Sequence, residues 1–228
     1  MSKEEGKKVL VELLKSKSGH KQDVFRNIKE QFAIFKEELQ DCVSKLRASL
    51  DDDRIRLKYT DKGDSEAHLA IGSDVLVFHM HSNVFKLAPN DFATQTSYVM
   101  NNPKNAYCGV INVYDFLADS YEYNRHHDVG YMICRIFINA ENHFKVEGKG
   151  QLGFIYQNFM NQVLNADVIE EIILRIGIYS LEFDLLTPPY QVVSKVSVGE
   201  LQTLSSNSKL KTGKRLGFQF QTDTDIQG

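Results

Sequence analysis

Apolar residues recur at alternating intervals of three and four from Phe25 through Ile28, Phe32, Phe35, Leu39 and Cys42 to Leu46, a helical period that covers residues 21–50. A shorter run from Glu4 to Lys15 has the same period, and Ser18, Gly19 and His20 separate the two. The pattern predicts an N-terminal helical hairpin over residues 1–52, with Asp23 placed to cap the longer helix. The 25–46 seam has coiled-coil spacing, but its phenylalanines and Cys42 suit docking onto a sheet better than a free two-stranded zipper.

After the acidic run Asp51, Asp52, Asp53 the period changes to two. The segments "RIRLKYT", "SEAHLAI" and "VLVFHMHSNVF" alternate apolar and polar residues around the turns "DKG" and "GSD", which predicts a three-stranded antiparallel meander. "AYCGVINVYDFL" reads as a further strand, "ADSYEYNRHHD" as a polar loop, and "VGYMICRIFIN" with "HFKVEG" as a hairpin about "AEN". A second long helix is expected from about Ile155 to Ile176, then strands at "YQVVSKVSV" and "RLGFQFQT". Mostly sequential antiparallel strands with helices at the start and near the end indicate an α+β fold, the sheet domain covering 53–228.

Composition narrows the function classes only a little. Of 228 residues, 42% are hydrophobic and 25% charged, an ordinary globular balance. The net charge of -3 gives no overall attraction to nucleic acid or to an anionic membrane, though a local basic face can hide in such a total. Cys42, Cys108 and Cys134 form no C-x-x-C pair, and neither a signal-peptide core nor a long apolar span is present. A cytoplasmic protein with no membrane partner is the expectation.

The meander supplies the first candidate site. If Ser73 and Asp74 form the two-residue loop, His68 stands opposite His79 and Glu66 opposite His81; if "DKG" is the other loop, Lys58 faces Glu66 and Arg56 faces His68. One face then carries Arg56, Lys58, Glu66, His68, His79 and His81, and the other carries Leu57, Leu69, Leu76, Phe78 and Met80. Three histidines and a glutamate suit a transition metal, but Arg56 and Lys58 on the same face repel a dication and favour an anion. Arg56, Lys58, His68, His79 and His81 are therefore the candidate ligand-binding residues, closed over by the loop at 117–129.

"KVEGKGQLGFIYQNFM" supplies the second candidate. Gly148, Gly150 and Gly153 match a dinucleotide-binding pattern, yet the strand before them alternates as a half-exposed strand does, and no acidic residue follows at the required distance. Glu147 and Lys149, two apart on a strand, share one face, and Asp128 begins the preceding strand. In this trio and in its element order the region is loosely similar to the PD-(D/E)xK nuclease fold. That resemblance implies Mg²⁺ held by Asp128 and Glu147, with Lys149 positioning the attacking water; it departs from the pattern where "HHD" replaces Pro-Asp.

Near the C-terminus Lys209, Lys211, Lys214 and Arg215 form a basic loop without interleaved aromatics, which reads as solvated. The leading expectation is a non-enzymatic binding module for a small anion or a protein partner. A metal-dependent phosphodiesterase or nuclease, with nucleic acid as substrate, is the alternative. A structural protein that forms a homodimer through the 25–46 seam is the third reading.

Overall fold

In the computed structural model, residues 1–183, 189–199 and 201–202 are described. The basic loop at 209–215 and the strand expected at 215–222 lie outside them.

The N-terminal period forms one helical rod in place of the expected hairpin. Helix α1 (Lys3–Leu13) runs through a five-residue π turn (Leu14–Ser18) into α2 (Gly19–Arg47). A glycine inside a helix costs about 1 kcal/mol, whereas a break would orphan about four N–H and four C=O groups. The chain stays helical at Gly19 and absorbs the irregularity as a π turn. Ser2 and Glu5 close a reciprocal capping box at the N-terminus, and Lys45 and Arg47 complement the dipole at the C-terminus.

The strands are β1 (Leu57–Asp61), β2 (Glu66–Ile71), β3 (Asp74–Met80), β4 (Phe85–Lys86), β5 (Tyr107–Leu117), β6 (Tyr131–Asn139) and β7 (Phe144–Gly148). They form one antiparallel sheet in the order β1-β2-β3-β5-β6-β7, with β4 added beside β5. Short helices α3 (Ser97–Asn101), α4 (Ala118–Glu122) and α5 (Leu152–Ile155) lie in the connections. Helix α6 (Ala166–Glu182) is capped by Asn165, whose side chain accepts from the Val168 N–H. The α+β class read from the sequence therefore holds. The second long helix begins eleven residues later than expected and extends through "IGIYSLE", and Tyr190–Val193, expected as a strand, is a short helix α7.

Helices α2 and α6 cover one face of the sheet. Ile28, Phe32, Phe35 and Leu39 meet Leu69, Leu76, Phe78, Ile111, Ile136 and Ile138, with Ile169, Ile172, Ile173 and Ile176 completing the core. The 25–46 seam is thus largely taken up by the protein's own sheet, the docking that its phenylalanines and Cys42 suited, rather than by the homodimer of the third reading. A Cβ on Gly109 would lie 2.6 Å from the Ile28 Cβ, so a glycine is what lets α2 approach β5 this closely. The other face is covered in two patches. Residues 87–106 pack Leu87, Ala93 and Val99 on Cys108, Val110 and Phe137, and α4 packs Ala118 near Val75 and Val77.

Candidate functional site

The meander keeps the expected faces but not the expected pairings. The β2–β3 loop is Gly72–Ser73, because Gly72 takes the positive φ of 57° that a two-residue turn needs at its first position. Glu66 therefore stands opposite His79, and His68 opposite Val77. The first turn also moves, to Gly63, Asp64 and Ser65, and Thr60 rather than Arg56 pairs with His68. Both slips are by an even number of residues, so every side chain keeps its face while its neighbour changes.

The result divides the predicted ligand cluster. Arg56 falls at the far end of the meander, its carbonyl accepting from the Gly72 N–H and its guanidinium 3.0 Å from Glu122. Lys58 stands opposite Ala70. His68 is buried, 2.6 Å from the Glu66 carboxylate and edge-on to Tyr121 at 4.8 Å. Burial holds its pKa below the ordinary histidine value, with the Glu66 hydrogen bond opposing that shift. The loop at 117–129 does lie over this face, through Tyr121 and Glu122. His81 is spent locally: its Nδ1 accepts from the Asn83 N–H, and its ring meets Phe85 at 4.7 Å.

The nuclease trio has separate surroundings. Asp128 accepts from the Ser120 hydroxyl at 2.8 Å and lies 4.0 Å from Arg125. It is six residues ahead of Cys134, the first residue of β6 that pairs with β7. Glu147 receives Arg135 Nε at 2.7 Å on one carboxylate oxygen and Lys145 Nζ at 2.9 Å on the other. Lys149 lies just past β7, its backbone N–H donating to the Ile133 carbonyl. Among the described residues no group of three or more His, Cys, Asp or Glu side chains is arranged to hold a metal ion.

What the sheet does bring together is a polar row across five strands. The pairings Glu66 with His79, His79 with Asn112, Asn112 with Arg135, and Arg135 with Glu147 place these side chains side by side on the face away from α2 and α6. The row runs along the trough between the two covering patches. Its β5–β7 half opens into a pocket of about 380 Å³, whose walls include His81, Phe85, Asp91, Met132 and Phe137. Buried Lys145 reaches under one wall to pair with Asp91 and Glu147.

Two features give this pocket chemical direction. Asn112 is only 9% exposed, lines the pocket and makes no side-chain hydrogen bond among the described residues. Arg135 is exposed and uses Nε and Nη2 on Glu147, which leaves Nη1 and one Nη2 hydrogen for another acceptor. The lining cations Lys86 and Arg135 match the carboxylates Asp91 and Glu147 two to two, and buried Lys145 beneath the wall, paired with both carboxylates, adds a third cation; His81 is in the wall and His79 stands beside Asn112.

No family model, curated protein or solved structure matches this chain. The site therefore rests on its own geometry. Of the residues singled out from sequence, His79, His81 and Glu147 belong to it, and Glu66 ends the row. Asn112, Arg135, Lys145 and Asp91 were missed. Asn112 in "GVINVYD" and Arg135 in "MICRIFI" are single polar side chains inside apolar strands, and that interruption is the signal that marks them.

Proposed function

We propose that this protein is a non-enzymatic binding module for a small anionic molecule, held on the face of the sheet opposite α2 and α6. Arg135 supplies the charge-assisted hydrogen bonds, the Asn112 amide a second contact from the floor, and an imidazole N–H of His79 a third donor. Phe85, Met132 and Phe137 flank the pocket and suit an anion with a small apolar body. The observation that carries the reading is Asn112. The residue is almost covered, yet its amide makes no side-chain hydrogen bond among the described residues and is not sealed from solvent, so its N–H donors open into the pocket, where a ligand carboxylate or phosphate oxygen would accept from them. The recess between two covering patches favours a small molecule over a protein surface.

The test measures the melting midpoint of the full chain against inorganic phosphate, sulfate and a series of small mono- and dicarboxylates. At least one of them should raise the midpoint with the logarithm of its concentration. Asn112→Val should melt close to the wild-type temperature without ligand, because no side-chain hydrogen bond is lost, and should lose the ligand-induced rise. Arg135→Met should lose that rise as well. No response to any of these anions, or an undiminished response in both variants, rejects the proposal.

A further inference from the structure

Helix α1 and the π turn after it bury nothing. Val9, Leu10, Val11, Leu13 and Leu14 are each 46% to 58% exposed, and among the described residues no element packs on them. Sixteen helical residues at about 1.5 Å each carry this segment on the order of 24 Å along a rod whose buried contacts begin at Val24. Val9, Leu10, Leu13 and Leu14 occupy one side of it, spaced as an amphipathic helix requires.

Charge decides what fits that side. Residues 3–18 contain five lysines and three glutamates, a net of +2, so the remaining residues carry -5 of the chain's -3. A second copy of the helix is a poor occupant. The apolar run is under two turns long, and Gly6 and Lys17 fall on the same stripe, where a coiled coil needs apolar residues sustained over several heptads. A lipid surface makes no such demand: leucines enter the headgroup region while Lys3 and Lys17, at the two ends of the apolar run, and Lys7 at its edge extend their ammonium groups to anionic headgroups.

We infer that α1 is a membrane-surface segment that docks this protein on anionic bilayers, the apolar side of residues 9–14 inserting and the surrounding lysines binding the headgroups. This departs from the expectation of no membrane partner, which rested on the chain-wide charge and on the lack of a signal-peptide core or long apolar span. It is independent of the anion pocket.

The experiment is co-sedimentation of the full chain with vesicles of phosphatidylcholine alone or with about a third phosphatidylserine. Two net charges at about fivefold each predict binding roughly 25-fold stronger to the anionic vesicles, weakening as salt is raised. Leu10→Glu combined with Leu13→Glu should abolish that binding and leave the melting midpoint unchanged, since neither residue is buried. Equal affinity for both vesicles, or full binding by the double variant, overturns the inference. So does a wild-type dimer that the same variant converts to a monomer, because a second copy would then cover this side.

Discussion

Lys145 and Asp91 form an ion pair beneath the pocket wall, joining β7 to the segment that follows β4, with the ammonium group almost wholly removed from water. The ammonium also reaches Glu147, so two carboxylates share one buried cation, and Glu147 pairs with Arg135 as well. Covering this part of the sheet thus depends on a polar anchor as well as on Leu87, Ala93 and Val99. Removing one side of a buried pair strands the other charge, which typically costs 3–5 kcal/mol.

Lys145→Met should therefore lower stability by about 3 kcal/mol or more, because Asp91 and Glu147 are left without their shared cation. Asp91→Asn should cost less, since Glu147 still partners the ammonium. Urea unfolding of both variants and of the double variant checks this. Strictly additive losses would mean that the pair carries no coupling.

Phe35 lies fully buried against the sheet, and with Ile28, Phe32, Leu39 and Cys42 also buried the middle of the seam is closed to a partner, Leu46 at its end being 38% exposed. Phe35→Ala should cost about 3–5 kcal/mol through the cavity it leaves, without changing the mass of the particle in solution. Light scattering and denaturant titration read the two effects separately. A stable Phe35→Ala chain of halved mass would show that the seam joins two copies.

His68 gives the protein a defined response to acid. Burial lowers its folded pKa beneath the ordinary 6.5, so below that pH the unfolded chain takes up a proton that the folded one resists. Stability should be unaffected by this group above about pH 7 and fall as pH drops through about 6 toward the folded pKa. Measured between about pH 7.5 and 5, the melting midpoint should fall less steeply in His68→Gln than in the wild type. Equal slopes would refute the assignment.

Much of the architecture is legible in local pattern. The three-four spacing of Ile28, Phe32, Phe35 and Leu39 is satisfied by one helix burying one stripe, and the alternation through Leu69, Leu76, Phe78 and Met80 names the core face of the meander. Candidate chemistry was less legible. His79 and His81 were visible because histidines stand out in a strand, but their neighbours come from β5, β6 and β7, which are remote in the chain. Nothing in the residues around Asn112 says that Arg135 will stand beside it.

Alternation by itself determined which side of each strand faces the helices, because a side-chain period of two depends on sequence alone and survives a slip by an even number of residues. Which residues meet across the strands was decided by tertiary structure. Gly72 and Gly63 adopt positive φ and set where each turn closes, and strand order places β5 between β3 and β6. That moved Arg56 away from His68, put Glu66 opposite His79, and assembled a row from Glu66 to Glu147 across strands that local pattern cannot join. Continuity of the N-terminal rod was likewise an energetic outcome, since keeping Gly19 helical costs less than leaving two helix ends unsatisfied.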